Sequence, residues 1–186
     1  SELIFVMPEL FLLSAISSIL LFDLYVKEQF KKFTYHLSQL ALLITGLLAF
    51  NLIGESATIF SGTFVLDTLG STFKVFIAGF SIIALVYSRH YLSVHGLLRN
   101  EYFILALMSI LGMFVMVSGH SLLTLYLGLE IMSLSLYALI ATARDRAFAI
   151  EAALKYFVLG AIASGLLLYG MSMIYGITGN LDIAQI

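Results

Sequence analysis

The chain has 186 residues, 61% of them hydrophobic and only 11% charged, with a mean hydropathy of +1.07. Soluble domains are about 45–50% apolar and ~25% charged, so this composition excludes a soluble globular domain and points to an integral membrane protein. A net charge of −2 gives no basis for nucleic-acid binding, and the absence of cysteine excludes disulfides and thiolate metal sites.

A bilayer span needs about 20 apolar residues, and six stretches meet that requirement. The first, about Leu3 to Tyr25, lies within SELIFVMPELFLLSAISSILLFDLY. Without a basic n-region or a small-residue cleavage site, it reads as a retained helix and not a signal peptide. Glu9, beside Pro8, sits near one end of this span and Asp23 near the other, and both read as interfacial. The second span runs from Thr34 to Gly54. The Ser/Thr/Gly-rich segment ESATIFSGTFVLD that follows predicts a loop or short hairpin. The third span, Thr68 to Tyr91, carries Lys74 close enough to its start for the ammonium to snorkel to the interface, which favours a structural role. The fourth span, Glu101 to Ser118, is joined by a tight turn around SGHS to the fifth, His120 to Thr142. The short basic loop ATARDRA then leads into the sixth, Phe148 to Gly176.

Basic residues predict the topology. Lys27, Lys31 and Lys32 follow the first span, Arg89 and Arg99 flank the loop after the third, and Arg144 and Arg146 follow the fifth. The alternate turns hold Glu55, Asp67 and Asp182 but no Lys or Arg. The positive-inside bias therefore places the odd-numbered loops on the cytoplasmic or matrix side and both termini on the other. Tyr25, Tyr35, Tyr87, Tyr91 and Tyr102 gather at the cytoplasmic ends as an aromatic belt would. His36, His90, His95 and His120 lie at span ends without metal-ligand spacing and read as solvated.

The ionisable groups inside spans carry the functional argument, because such residues are rare and by default mark an ion or proton path. Glu130 in LYLGLEIMSLSLYALIA lies about 15–18 Å from either end of its helix, too deep to snorkel. Hydrocarbon disfavours its charged form, so it is either protonated or paired with a cation on another helix. A carboxyl balanced between those states can load and unload a proton; the alternative is a neutral acid that hydrogen-bonds a neighbouring helix or a nearby hydroxyl such as Ser133. Lys155 lies ~10–11 Å into the sixth span, with Glu151 one turn earlier in the favoured order for a local ion pair. A relay role and a local structural role weigh equally for it. The short loop makes the last two spans antiparallel neighbours, so Glu130 and Lys155 are expected to communicate directly or through water. Glu151 and Lys74 are secondary candidates. Small residues at Ala152, Gly160 and Ser164, and at Ala161 and Gly165, predict close packing against sibling helices. No dinucleotide fingerprint, P-loop, HExxH or nucleophile elbow is present.

The run GLEIMSLSLYALIA, then ATARDRA, then EAALKYFVLGAIASGLLLYGMSMIYGITGNLD resembles subunit N of the proton-pumping NADH–quinone oxidoreductase, respiratory complex I. The mitochondrial equivalent is NADH dehydrogenase subunit 2. PELFLL in the first span and FVLD before the third fit the same family. The resemblance implies an all-α integral membrane fold of about six helices here, the first part of an antiporter-like inverted-repeat architecture similar to Mrp-type sodium/proton antiporters. It maps the family's helix-five glutamate onto Glu130 and its helix-six lysine, within E-A-x-x-K-Y, onto Lys155. It further implies a non-redox subunit that binds no cofactor, with NADH, FMN, iron–sulfur clusters and quinone handled elsewhere in the complex. The implied partners are the other membrane-arm subunits, the bilayer of a bacterial inner or mitochondrial inner membrane, and the remainder of the same subunit after Ile186. Family members run to about fourteen helices in two inverted repeats, which form their site jointly. Residues 1–186 are therefore expected to be a single transmembrane domain, a fragment or half of a split subunit, that does not pump alone. A structural membrane scaffold and an Mrp-type antiporter subunit are the competing expectations.

Overall fold

The computed structural model describes residues 2–25 and 33–186; Lys27, Lys31 and Lys32, on which part of the topology argument rests, lie outside the described residues. Among the described residues, six helices are long and apolar enough to cross a membrane. They are α1 (Met7–Tyr25, entered through a 3-10 turn at Glu2–Val6), α2 (Phe33–Asn51), α3 (Thr68–Val94), α4 (Asn100–Ser118), α5 (Leu122–Ala141) and α6 (Ala147–Thr178). Side-chain caps explain where two of them start. Asp67 accepts a hydrogen bond from the Gly70 N–H at the head of α3, and Ser121 accepts one from Thr124 at the head of α5. α6 ends at Gly179, whose left-handed backbone (φ 67°) returns its N–H to the Tyr175 carbonyl, a conformation glycine adopts without steric cost.

The Ser/Thr/Gly-rich segment between α2 and α3 folds as a hairpin. Strands β1 (Ala57–Ile59) and β2 (Phe64–Leu66) pair antiparallel, with Thr58 opposite Val65. This hairpin ties one end of the bundle together. Phe64 bridges to Gly119 and Ser121 to Asp182, while the His120 N–H bonds the Thr63 carbonyl at 3.0 Å and the Leu122 N–H bonds Leu181 at 2.9 Å. Val6, Ile59 and Phe64 form a small apolar plug at this hairpin end. The opposite end carries the arginines, which are engaged rather than free. Arg99 pairs with Asp145, Arg144 lies 3.5 Å from Glu101, and Arg146 donates to the His95 carbonyl. Asp23 is not merely interfacial there: it accepts from Thr34 at 2.8 Å and Asn100 at 2.7 Å, joining α1, α2 and α4.

Helices α1 to α4 surround one apolar core, in which Leu12, Leu42, Leu107 and Phe114 are fully buried. α5 joins that group by packing on α4, and α6 packs on α5. The α4–α5 contact brings backbones together. A Cβ on Gly112 would stand 2.6 Å from the Gly128 carbonyl and 2.6 Å from the Met132 nitrogen. A Cβ on Gly128 would stand 2.6 Å from Met116 and 2.8 Å from the Gly112 carbonyl. Small residues at such crossings let dispersion contacts accumulate where no hydrophobic drive exists between helices. Gly112→Ala is therefore expected to cost about 1–3 kcal/mol by overpacking, read as a lower thermal unfolding midpoint in detergent. Gly165→Ala, where nothing lies within 4 Å, is the control and should leave the midpoint unchanged or raised.

Candidate functional site

Glu130 sits near the middle of α5 and is reached from α6. The Ser164 hydroxyl donates to Glu130 Oε1, and the Tyr126 hydroxyl lies 2.8 Å from Ser164 Oγ. A serine hydroxyl has one proton to give. With that proton directed at Glu130, Tyr126 is the donor to Ser164, and the three groups form a directional chain ending on the carboxylate. Tyr126 and Glu130 are four residues apart on α5 and so share a face. Of the two hydrogen-bonding partners the sequence offered, the neighbouring helix supplies the donor and Ser133 does not.

The alignment of α6 that delivers Ser164 depends on small residues. Ala149 and Ala153 are buried, and the ring of Tyr137 fills the space over Gly160, where a Cβ would meet its hydroxyl oxygen at 1.7 Å. Tyr137 also meets Tyr156 and Phe157 edge-on, with ring centroids 4.8 and 5.6 Å away. One of the two predicted small-residue stripes is thus a contact line through Gly160 and Ser164. Ala152, at the head of that stripe, is exposed; along the other stripe Ala161 is exposed and Gly165 has nothing within 4 Å among the described residues.

Lys155 is on a different face of α6. Its ammonium lies 2.5 Å from Glu151 Oε1, and the two side chains are 71% and 66% exposed. The local pair predicted from the i,i+4 spacing is present. The expected direct link between Glu130 and Lys155 is not made, because Lys155 lies nine residues from Ser164 along α6, about 13 Å of helix rise.

Lys74 departs most from expectation. It does not snorkel, and Glu9 is not solvated. Lys74 Nζ lies 2.5 Å from Glu9 Oε1, with side-chain exposures of 0% and 6%. The Phe64 ring of β2 lies 5.1 Å from the same ammonium, within cation–π range. The hairpin is the physical reason: it folds over the ends of α1 and α3, so the ammonium meets the Phe64 ring and Glu9 where a lysine at that depth would otherwise meet bulk water. The predicted solvated histidines are at the ends. His95 stacks on Tyr91 with centroids 4.1 Å apart, and His120 Nε2 lies 3.7 Å from Asp182 Oδ1. Among the described residues no group of three or more His, Cys, Asp or Glu could hold a metal ion.

The sequence profile of the NADH:quinone oxidoreductase/Mrp antiporter transmembrane family matches residues 119–186, the stretch that contains Glu130, Ser164 and Lys155. NADH-quinone oxidoreductase subunit N of Ruthia magnifica is 67% identical over 100% of this chain and 39% of its own length. The subunit N of Alkalilimnicola ehrlichii is 50% identical over 97% of this chain and 37% of its own. Among solved structures, a chain of respiratory complex I from Thermus thermophilus superposes with a TM-score of 0.78 at 27% identity, covering 95% of this chain and 38% of that one. A chain of an archaeal membrane-bound sulfane sulfur reductase, a respiratory membrane complex, superposes with a TM-score of 0.81 at 25% identity, covering 99% and 39%. The chain thus spans about two fifths of the length of the relatives it matches.

Proposed function

We propose that this chain belongs to the NADH:quinone oxidoreductase/Mrp antiporter transmembrane family and is part of a subunit N in the membrane arm of a proton-pumping NADH–quinone oxidoreductase. Its work there is proton translocation, driven by quinone reduction elsewhere in the complex. The observation that carries this reading is the carboxyl of Glu130, deep in α5, bonded by a hydroxyl from a second helix. The ionised carboxylate accepts the Ser164 proton; when Glu130 takes a proton, the Ser164 and Tyr126 hydroxyls can reverse their donor sense, as hydroxyl rotors do. Lys155, on the open face of α6, takes the part of a lateral relay toward residues that follow Ile186, with Glu151 as its resting partner. The chain binds no cofactor of its own in this reading; NADH, FMN, iron–sulfur clusters and quinone belong to the rest of the assembly. It sits as a multi-pass protein in the inner membrane, with the arginine end on the cytoplasmic or matrix side.

The test is Glu130→Gln in the complete subunit within the assembled complex, measuring proton uptake and quinone reduction together. The expected result is fewer protons taken up per quinone reduced in a complex that still assembles. An unchanged ratio and rate would sink the relay role, and loss of assembly would favour a scaffold whose buried charges fix helix packing.

A further inference from the structure

Glu9 and Lys74 take no part in the path proposed above, and their bonding is incomplete. Both Glu9 carboxyl oxygens, Lys74 Nζ and the buried Ser71 Oγ one turn earlier on α3 make no directed hydrogen bond. The ammonium lies close enough to Oε1 for charge to act, and Glu9 Oε2 and Ser71 Oγ have no partner in the protein. An ammonium carries three donors and an ionised carboxyl has about four acceptor sites, so most of the capacity of this pair is unmet by protein. Buried polar groups in that condition are met by ordered water. Packing gives no reason for the pair, since buried ion pairs are often replaceable by apolar residues of similar volume without loss.

The surroundings supply a polar helix face, and no further ionisable group lies among the side chains in contact with the pair. Asp67, Ser71 and Lys74 recur at intervals of four and three residues, so one face of α3 carries polar groups from its exposed cap down to the pair. The hairpin contributes Phe64 and no ionisable group at the pair. α2 and α4 carry their ionisable side chains (Tyr35, His36, Glu101 and Tyr102) only at the opposite end, and α1 adds Asp23 and Tyr25 there too. The other ionisable groups at the hairpin end are Glu55 and Asp67, both exposed, and the partly exposed His120–Asp182 pair.

We infer that Glu9, Lys74 and Ser71 form a hydrated proton-exchange site, separate from Glu130 and reached by water from the hairpin end along the Asp67–Ser71–Lys74 face of α3. Within the pair, the proton moves from Lys74 Nζ to Glu9 Oε1, leaving an amine and a carboxylic acid, and returns. Net buried charge is zero in both forms. Transfer exchanges the attraction within the ion pair for relief of two desolvation penalties. Water at Glu9 Oε2 and Ser71 Oγ carries the proton between the pair and the Asp67 end. The site does not depend on the role proposed for Glu130.

Infrared spectroscopy of the complete subunit in lipid tests it, comparing wild type with Glu9→Gln across pH and after transfer to heavy water. The expected result is a protonated-carboxyl stretching band that is lost in Glu9→Gln and that shifts on deuteration within the mixing time. Ser71→Ala should retain the band and slow its deuteration about ten-fold or more, roughly what loss of one bridging hydrogen bond of 1.4 kcal/mol gives. If Glu9→Gln does not fold, the double variant Glu9→Leu with Lys74→Met provides the same difference. Three results overturn the site: no carboxyl band assignable to Glu9 at any pH where the helices persist, a band that does not exchange in heavy water, or unaltered exchange in Ser71→Ala.

Discussion

Truncating Lys74 to alanine is expected to destabilise the protein by about 3–5 kcal/mol, the loss found when one partner of a buried ion pair is removed. The substitution leaves the Glu9 carboxyl inside the bundle with no cation, beneath the apolar plug of Val6, Ile59 and Phe64. It also removes the ammonium from the Phe64 ring and opens a gap between α1 and α3. Replacing both members, Glu9→Leu with Lys74→Met, should behave differently and fall within about 1 kcal/mol of wild type or above it, because two desolvation penalties are relieved together. Adding the single variants Glu9→Leu and Lys74→Met completes the cycle that separates the coupling of the pair from the packing of its stems. Thermal unfolding in detergent micelles, followed by loss of helical circular dichroism, measures both. A Lys74→Ala protein that unfolds at the wild-type temperature would mean that the carboxyl is already fully solvated.

How much of this was legible in the sequence depended on whether the determining interaction was local. The six helices follow from apolar runs whose length matches the bilayer, and the hairpin follows from a Ser/Thr/Gly-rich break between two of them. The Glu151–Lys155 pair is likewise local, set by one helical turn. Glu130 stood out because no position in its span offers a route to water. The partners of the intramembrane groups were not legible, because periodicity along one helix gives a face but not which helix meets it. Ser164 looked like one more small packing residue, and it is also the donor to Glu130 across the α5–α6 contact. Glu9 and Lys74, each near the start of its own helix, looked like solvated interfacial charges. Only a hairpin closing over both helix ends makes them a buried pair, and nothing in the spacing of either helix reports that closure. The polar recurrence of Asp67, Ser71 and Lys74 was the one available hint, since a snorkelling lysine has no need of a buried serine one turn above it.

The second large effect is expected at a residue with no ionisable group. Gly160→Leu should disable Glu130 while leaving every charge in place. α6 is held to the described bundle through α5, and Tyr137 occupies the space over Gly160 so closely that even a Cβ would reach its hydroxyl oxygen. Alanine there can be absorbed by a swing of the tyrosine, with partial loss of its edge contacts to Tyr156 and Phe157. Leucine cannot be absorbed that way and must push α6 away from α5, at an overpacking cost of about 1–3 kcal/mol. Ser164 lies one turn further along the same contact line, so the same displacement carries its hydroxyl out of reach of Glu130 and breaks the bond to Tyr126. Glu130 then loses its donor, and proton uptake per quinone reduced in the assembled complex should fall, with Ser164→Ala expected to lower it equally. Combining Gly160→Leu with Ser164→Ala should add little to either, since both act on one hydrogen bond. If Gly160→Leu lowers the unfolding temperature yet preserves the proton ratio, the contact serves packing alone and the Ser164–Glu130 bond has no part in the proton path.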